Sequence, residues 1–349
     1  MTRTVNMTID GKKLGVPEGT SVLEAARQAG IYIPSLCYHP KISITGACRV
    51  CVVEINGQTT TSCTTPAEDG MAVITNSPYI ENMRRDIVDL ILSDHPYDCM
   101  VCQRAGDCEL QELAYFYNIR QPIFRGERRT YARRDKNPFI DRDMEKCILC
   151  GRCIKVCDEV QGVGAIDYAF KGFDTRICPP FGRDLNCEFC GQCVAVCPTG
   201  ALSGRMWIGS GRYKDVRETD TICPYCGCGC NITLHTLRDK VIRVSSRTDT
   251  PNDGWLCSKG RFNYEFINNP DRLTTPLVRR GKSGELQPAT WDEALGLVAM
   301  QFSRIRKEHG PDALAGLSSA RCTNEENYAF QKFFRAAVGT NNVDHCARY

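Results

Sequence analysis

The sequence predicts an α+β protein made of several small domains. At 349 residues the chain is long enough for two or more domains, each with its own core. Strand patterns alternate with helices that open on capping boxes, as at Ser21-x2-Glu24 and Thr323-x2-Glu326. The 23 cysteines recur in short, closely spaced runs, which indicates several separate cysteine-bearing modules.

Composition narrows the functional classes. The net charge of +3 gives no strong bias toward nucleic acid or acidic membranes. Residues 1–10 carry no apolar run behind a basic head, so no signal peptide is expected. No stretch approaches the roughly 18 apolar residues that span a bilayer. These features favour a cytoplasmic protein with no membrane span and no nucleic-acid partner.

A basic, proline-containing connector covers residues 119–146. Its arginines are Arg120, Arg125, Arg128, Arg129, Arg133 and Arg134. Aromatic residues are not interleaved with them at a useful period, as nucleic-acid binding would favour. The connector is therefore predicted to be a linker that is solvated or packed between domains.

The cysteine pattern is the strongest functional signal. Disulfide scaffolds are usually short and secreted, whereas this chain is long, lacks an export signal and has an odd number of cysteines. Structural zinc sites use groups of four, usually two Cys-x2-Cys pairs, and the triple runs fit that pattern poorly. Cys-x2-Cys-x2-Cys runs are typical of iron–sulfur clusters, which the sequence therefore predicts.

One run of four cysteines occurs twice. A cysteine at every third position lets one tight loop reach three corners of an iron–sulfur cube, and in bacterial two-cluster ferredoxins the fourth cysteine binds the other cluster. Gly151 and Gly191 let the backbone turn inside the runs, while Asp158 stands where proline is usual. One 4Fe–4S cluster is thus predicted on Cys147, Cys150, Cys153 and Cys197, and another on Cys157, Cys187, Cys190 and Cys193.

A hairpin and a helix precede another set of cysteines. The strand patterns VNMTID and KLGVPEG flank Gly11-Lys12, and the helix SVLEAARQA follows. Next come Cys37, Cys48, Cys51 and Cys63. This order resembles the 2Fe–2S domain at the start of the large iron–sulfur subunit of respiratory complex I, which implies a β-grasp fold and four cysteine ligands. The alternative is a small domain whose cysteines are buried as hydrophobic residues.

A helix from Ser77-Pro78 ends at His95, and three cysteines follow it. Its apolar residues Ile80, Met83, Ile87, Leu90 and Ile91 are predicted to face the core. Three cysteines are one ligand short of a cube, and imidazole can replace a thiolate on iron. The spacing also resembles the one-histidine, three-cysteine site of complex I and iron-only hydrogenases. A 4Fe–4S cluster is predicted on His95, Cys99, Cys102 and Cys108; a histidine that only caps or packs is the alternative.

The segments TICPYCGCGC, WLCSKGR and RLTTPLVR lie together in residues 216–275. They resemble the N-terminal 4Fe–4S domain of molybdenum or tungsten bis-pterin enzymes, formate dehydrogenases in particular. The resemblance implies a cluster on Cys223, Cys226, Cys230 and Cys257. Lys259 matches the family's lysine between cluster and pterin, although it could be a surface lysine. The remaining cysteines, Cys178, Cys228, Cys322 and Cys346, are interpreted as packing residues.

The last segment is predicted to begin an α/β domain. A helix capped at Thr290 carries Leu295, Val298, Phe302 and Ile305 on one face; the strand ALAGLSS, a second helix and the strand Asn342-Val343-Asp344 follow. The predicted domains are therefore 1–78 (2Fe–2S), 79–118 (one His, three Cys), 119–215 (linker and two-cluster ferredoxin), 216–275 (bis-pterin type 4Fe–4S) and 276–349 (incomplete α/β).

The resemblance covers essentially the whole chain and identifies it as the N-terminal part of the catalytic subunit of a cytoplasmic, cluster-rich formate dehydrogenase. It implies interconversion of formate and carbon dioxide, in an anaerobic setting, at a molybdenum or tungsten bis-pterin guanine dinucleotide present in the full-length protein only. Partner subunits of the NAD(P)/flavin, ferredoxin or hydrogenase type are implied. No catalytic residue is assigned, because the metal-ligating selenocysteine or cysteine is expected directly after Tyr349.

Two other classes are weighed. An iron-only hydrogenase shares the first four clusters but needs its own cysteine-rich motifs after residue 200, which TICPYCGCGC is not. A non-catalytic electron-transfer subunit of a complex I-like or hydrogenase complex carries the N-terminal clusters and a pterin-type domain without the pterin. The tandem ferredoxin run argues against this second class.

Overall fold

The computed structural model describes residues 3–131, 136–281 and 284–346. Arg133 and Arg134 of the connector and the final residues 347–349, next to the expected metal ligand, lie outside these ranges. Within the described ranges, no helix combines the length and apolar character needed to cross a bilayer.

The chain divides into two compact units. The first comprises Met1–Glu218, His235–Ser245 and Trp255–Phe262. The second comprises Thr219–Leu234, Ser246–Gly254 and Asn263–Tyr349. This division is coarser than the five predicted domains, whose boundaries stay a prediction.

A five-stranded sheet opens the first unit. Its strands are β1 (Thr4–Ile9), β2 (Lys12–Pro17), β3 (Val52–Ile55), β4 (Gln58–Thr61) and β5 (Ala72–Ile74), in the order β2-β1-β5-β3-β4. β1 and β5 are parallel, and the other neighbours are antiparallel. Helix α1 (Val22–Gln28) packs on this sheet, because Leu23 and Ala26 share a buried core with Val5 and Val53. A mixed sheet crossed by one helix agrees with the predicted β-grasp fold.

The first hairpin turns one residue earlier than predicted. Ile9 pairs with Lys12, so that Asp10 and Gly11 form the turn, with φ of 50° and 79°. A two-residue hairpin whose turn matches the strand twist needs both central residues in the left-handed region, which Asp and Gly adopt more readily than Lys. The lysine therefore belongs to the strand.

Two helices follow the sheet: α2 (Pro78–Ser93) and α3 (Glu109–Phe116). The predicted buried face of α2 is partly wrong, since Leu90 is 51% exposed whereas Val88 and Leu92 are buried. Arg84 is also buried, and its guanidinium donates to the Val52 carbonyl at 2.7 Å. The hydrogen bond to this carbonyl allows Arg84 to be buried, so the buried face of α2 includes Arg84. Hydrophobic periodicity does not predict an arginine on that face.

Short strands and one-turn helices form the next segment. They are β6 (Ile140–Arg142), α4 (Arg152–Lys155), β7 (Asp167–Ala169), β8 (Arg176–Cys178), α5 (Gln192–Ala195) and β9 (Leu202–Gly204). β6 pairs with β9 and β7 pairs with β8, both antiparallel. Each repeated cysteine run enters a one-turn helix directly after a left-handed glycine. The sequence duplication is therefore also a duplication of backbone structure.

The described part of the basic connector is attached by hydrogen bonds at a few points, although most residues of 120–130 are exposed. The Arg129 backbone N–H donates to Asp94 at 2.9 Å, and its guanidinium pairs with the same carboxylate and donates to the Thr175 carbonyl at 3.2 Å. The Ile123 N–H donates to Asp89 at 2.9 Å. The predicted linker is therefore solvated over most of residues 120–130 and packed at these contacts.

Strands β10 (Arg217–Ile222), β11 (Asn231–Leu237) and β12 (Lys240–Ser245) form a three-stranded sheet in that order, and α6 (Ser258–Phe262) follows. The later elements all belong to the second unit: β13 (Leu277–Arg279), β14 (Leu286–Pro288), α7 (Trp291–His309), β15 (Gly316–Ser318), α8 (Asn324–Phe333) and β16 (Val343–His345).

The predicted strand–helix–strand unit is present at the end of the chain. β15 and β16 are parallel, and Gly316 pairs with Val343. Phe302 and Ile305 of α7 pack against the core around Phe334. Leu295 and Val298, predicted on the same face of α7, are exposed, so only the C-terminal half of that face is covered by the described residues.

Candidate metal centres

The first four predicted ligands form one group of thiols in contact. Cys37 follows α1, Cys48 and Cys51 lie on the loop before β3, and Cys63 follows β4. All four are buried, with exposures of 7% or less. The pKa of each thiol is shifted mainly by its neighbours in the set: Cys48 and Cys63 act on Cys37, and Cys63 acts on Cys51. The structure thus brings this whole set together.

Contacts within this thiol group shift the pKa values in opposite directions. Hydrogen bonds from Cys48 and Cys63 lower the pKa of Cys37 to about 2, and one from Cys63 lowers the pKa of Cys51 to about 6. Those hydrogen bonds, together with burial, raise the pKa of Cys48 and of Cys63. Four adjacent thiolates repel one another in a buried site, and the irons of a cluster would supply the compensating charge. The donor set fits a 2Fe–2S cluster.

One ring nitrogen of His95 contacts a backbone carbonyl, and the other is left over among the described residues, as a metal ligand requires; the role of His95 as a ligand stays a prediction. Its Nδ1 lies 2.9 Å from the Pro96 carbonyl oxygen, which accepts a proton carried there. Its Nε2 is buried without a hydrogen-bond partner among the described residues. Burial lowers the pKa of His95, so the ring is neutral. A neutral imidazole held through one nitrogen, with a lone pair on the other, is the form that binds metals.

Two of the three cysteines predicted to bind a cluster together with His95 line the same cavity as the histidine. Cys99 and Cys108 line the same cavity as His95, which has a volume of about 520 Å³. The Cys102 thiol lies beside Gly200, where a Cβ would come within 2.6 Å of the sulfur. Burial raises the pKa of Cys99 and of Cys108, and the nearby Cys102 raises that of Cys99 further and makes a small contribution at Cys108. Three of the four predicted ligands therefore share one cavity, and Cys102 is close enough to act on two of them.

Two further cavities are each lined by the four cysteines that the exchanged ferredoxin pattern predicts. The first is lined by Cys147, Cys150, Cys153 and Cys197, with isoleucine and leucine side chains between them. The second is lined by Cys157, Cys187, Cys190 and Cys193, again with apolar neighbours. The fourth cysteine of each run thus faces the cavity of the other run. An apolar enclosure with four thiols in its wall fits a 4Fe–4S cluster.

The two cysteine loops repeat the same backbone geometry. The N–H of Leu149 donates to the Cys147 sulfur at 3.4 Å, and the N–H of Phe189 donates to the Cys187 sulfur at the same distance. Leu149 and Phe189 have φ of 55° and 57° although neither is glycine. Sequence reasoning missed both residues, because leucine and phenylalanine carry no signal for the left-handed region.

Gly191→Ala is expected to destabilise the second cysteine loop. Gly191 has φ of 73°, and a Cβ there would lie 2.4 Å from the Arg261 Cδ and 2.8 Å from the Phe262 ring. Left-handed strain costs about 1 kcal/mol and overpacking adds about 1–3 kcal/mol. Thermal unfolding measures the loss.

Gly209→Ala is the matched control for that substitution, since Gly209 has φ of 74° and open space around its Cβ position. It should show the backbone strain alone. Equal destabilisation by the two variants would mean that the contact with Arg261 and Phe262 does not matter.

Two buried arginines near the cysteine loops were also missed. Arg152, between Cys150 and Cys153, makes a paired contact with the Glu109 carboxylate at 2.6 and 2.9 Å. Arg261 is 1% exposed and donates to the Cys190 carbonyl at 3.0 Å and to Gln192 at 2.9 Å. Both place positive charge beside thiols that become anionic when they bind metal. The only sequence hint is a charged residue between or just after closely spaced ligands.

The last predicted ligand set is divided between the two units. Cys223 is buried and its N–H donates to the Cys230 carbonyl at 2.8 Å, which closes the loop that carries Cys226. Cys257 belongs to the first unit, where it precedes α6 and is exposed. A cluster shared by these four cysteines stays a prediction. Lys259 is exposed on α6, and its role toward a pterin stays a prediction as well.

The described residues hold no group of three or more His, Cys, Asp or Glu side chains suited to a single metal ion. Cluster ligands bind separate irons and so surround a volume rather than a point.

The interpretation of the leftover cysteines as packing residues is wrong for Cys228, Cys322 and Cys346. These three are exposed on loops before β11, before α8 and after β16. Only Cys178, at the end of β8, is half-buried. A small side chain on a loop often stays exposed to solvent, even when the neighbouring residues belong to a strand or a helix.

Known sequence families match successive parts of the chain. Residues 2–78 match a 2Fe–2S iron-sulfur cluster binding domain, and residues 84–122 the NADH-ubiquinone oxidoreductase-G iron-sulfur binding region. Residues 137–203 match the ferredoxin-like domain of NADH-quinone oxidoreductase subunit 3. Residues 216–269 match the molybdopterin oxidoreductase Fe4S4 domain, and residues 272–349 molybdopterin oxidoreductase. The matched families follow the predicted order of cluster domains.

Similar proteins carry several functional names. NADPH-Fe(3+) oxidoreductase subunit alpha of Geobacter sulfurreducens is 43% identical over 99% of this chain and 40% of its own length. An NADH-quinone oxidoreductase subunit of Rhizobium meliloti is 39% identical over 99% of this chain and 40% of its length. A Staphylococcus aureus protein named "Putative formate dehydrogenase" is 32% identical over 98% of this chain and 39% of its length. The chain thus spans about 40% of the length of these relatives.

A solved structure is also similar. A chain of an NAD+-reducing [NiFe]-hydrogenase is 31% identical, with a TM-score of 0.56, over 60% of this chain and 90% of the hydrogenase chain. The successive matches cover almost the whole chain, which is therefore similar, domain by domain, to the iron–sulfur region of the NADH-quinone oxidoreductase-G type followed by molybdopterin oxidoreductase domains.

Proposed function

We propose that the chain binds one 2Fe–2S and four 4Fe–4S clusters and conducts electrons between a bis-pterin site and a partner subunit. The observation that carries the proposal is the pair of cavities, each with the four cysteines of an exchanged ferredoxin pattern in its wall. When bound, such clusters supply one-electron transfer with little rearrangement. The protein residues hold the clusters, exclude water and set the local charge.

Contacts between neighbouring ligand sets support a conducting role. Cys150 shares a buried core with Cys37 and Cys48. The Cys108 thiol lies 3.6 Å from the carbonyl oxygen of Pro198, the residue after Cys197. The first ferredoxin set (Cys147, Cys150, Cys153 and Cys197) therefore shares a core with the Cys37 set and has a backbone contact with the His95 set. In the proposed order, the Cys223 set is nearest the pterin, the ferredoxin sets come next, and the N-terminal sets face the partner.

For the whole protein we propose an oxidoreductase that converts formate to carbon dioxide, a proton and two electrons, and the reverse, at molybdenum or tungsten. Support comes from the CPYCGCGC and LCSKGR segments, from the molybdopterin matches over residues 216–269 and 272–349, and from a relative whose name includes formate dehydrogenase. Cytoplasmic partner subunits of the NAD(P)/flavin, ferredoxin or hydrogenase type are part of this proposal.

A second candidate function is that of a non-catalytic electron conduit. It is favoured by the relative named NADPH-Fe(3+) oxidoreductase subunit alpha and by the NADH-quinone oxidoreductase subunit of Rhizobium meliloti. Metal analysis of the whole protein, combined with formate-dependent dye reduction, separates the candidates. Molybdenum or tungsten with formate oxidation supports the dehydrogenase. A fully iron-loaded protein without either metal supports the conduit.

The cluster inventory has a direct test. Protein purified without oxygen should hold about eighteen irons per chain, two from the 2Fe–2S cluster and sixteen from four 4Fe–4S clusters. Colorimetric iron analysis gives the content, and electron paramagnetic resonance separates the cluster types. An iron content near ten without a 2Fe–2S signal would contradict the proposal.

A further inference from the structure

A basic cavity lies beside the cavity of Cys147, Cys150, Cys153 and Cys197, the first ferredoxin set. It has a volume of about 370 Å³, and three arginines line it: Arg142, Arg176 and Arg183. Asp184 is the one acidic residue among the described residues of its wall. The cysteine motifs and the proposed cluster sites do not account for this excess of positive charge.

Aromatic rings and a backbone carbonyl hold the three guanidinium groups. Arg176 lies 4.6 Å from the centre of the Phe170 ring, and Arg183 lies 5.7 Å from that of Phe181. Arg142 donates to the Ile177 carbonyl at 3.0 Å. Among the described residues, neither Arg176 nor Arg183 has a carboxylate within ion-pair distance. Stacking on an aromatic ring orients an arginine without neutralising its charge, so the N–H groups at its edge stay able to bind an anion.

We propose that this cavity binds a small molecule that carries two or more phosphate groups, of the pyrophosphate or nucleoside diphosphate class. Arginine matches phosphate with two parallel N–H donors, which a lysine or a neutral side chain does not provide. The volume lies at the lower end of the roughly 300–1,000 Å³ typical of small-molecule sites. It exceeds what a single small ion needs, and three arginines suit a ligand with more than one charged group.

The anion site is joined to the first ferredoxin set through a common wall. Arg142, Met144 and Ile177 line both the basic cavity and the cavity of Cys147, Cys150, Cys153 and Cys197. Negative charge bound at the arginines opposes the addition of an electron across that wall. Anion binding therefore shifts the potential of a cluster in that set to more negative values, and reduction weakens anion binding to the same extent. This coupling rests on the proposed cluster; the anion site itself does not.

Calorimetric titration of the purified, cluster-containing chain with inorganic pyrophosphate and with ADP tests the site. Arg176→Gln and Arg183→Gln should each weaken binding by at least about tenfold, because each removes a charge-assisted contact. Arg304→Gln, on α7 of the second unit, is the matched control and should not change affinity. Iron content and thermal unfolding check that each variant is folded.

The outcomes separate the sources of the phosphate. Equal affinity for both probes supports recognition of the phosphates alone, and tighter binding of ADP supports a nucleotide. Absence of binding, or binding unchanged in both arginine variants, overturns the site, including the case in which the arginines dock an acidic protein instead. Redox titration with and without pyrophosphate tests the coupling, and an unchanged potential in the presence of bound pyrophosphate overturns it.

Discussion

Cys197→Ser is expected to remove the cluster of the first cysteine run while the second run keeps its own. Cys197 lies in the second run, yet its side chain lines the cavity of Cys147, Cys150 and Cys153. A cube that loses one protein thiolate exposes an iron, so about four irons should be lost. Iron analysis and electron paramagnetic resonance of protein handled without oxygen measure the loss.

Double variants identify which cluster has gone. Cys150→Ser combined with Cys197→Ser should lose the same four irons, approximately, as either single change, because both residues would hold one cluster. Cys190→Ser combined with Cys197→Ser should lose about eight, because two clusters are affected. The reverse result would mean that each run binds its own cluster. Cys178→Ser, which changes a cysteine outside every predicted set, is the control and should keep all clusters.

His95→Ala is expected to make one cluster labile and leave the other four intact. The His95 Nε2 has no hydrogen-bond partner in the described part of the chain and its Nδ1 contacts the Pro96 carbonyl, an arrangement that suits a metal-binding imidazole. Alanine offers no donor, so about four irons should be lost on exposure to a chelator. His95→Cys should retain the cluster but lower its potential, since thiolate donates more charge than neutral imidazole.

His309→Ala is the control for His95, because that ring lies on α7 with its side chain 65% exposed. It should change neither the iron content nor any potential. If His95→Ala also keeps every cluster at its original potential, the histidine is a packing residue and does not bind a cluster in the cavity that it lines.

Cysteine spacing predicted the structure better than turn residues or hydrophobic periodicity did. The exchanged ferredoxin pairing was predictable, because a run of cysteines at every third residue can reach only three corners of one cube. The hairpin turn was misplaced by one residue because Lys12 looked acceptable in a turn, whereas the twist required positive φ at Asp10 and Gly11. The buried face of α2 was misplaced because the guanidinium of buried Arg84 donates to the Val52 carbonyl, which is distant in sequence, and pairs with Glu81.

The sequence alone determined the order of the cluster domains and which cysteines of the two ferredoxin runs line a common cavity, because both depend on local spacing and composition. The tertiary structure decided what depends on segments far apart in the chain. It placed Glu109 against Arg152, Pro198 against Cys108, and Arg261 against the loop of Cys190. It also gathered three arginines around one cavity next to a cysteine set. Sequence periodicity does not predict such contacts. Burial and long-range packing, rather than neighbouring residues, determine which charged side chains come together.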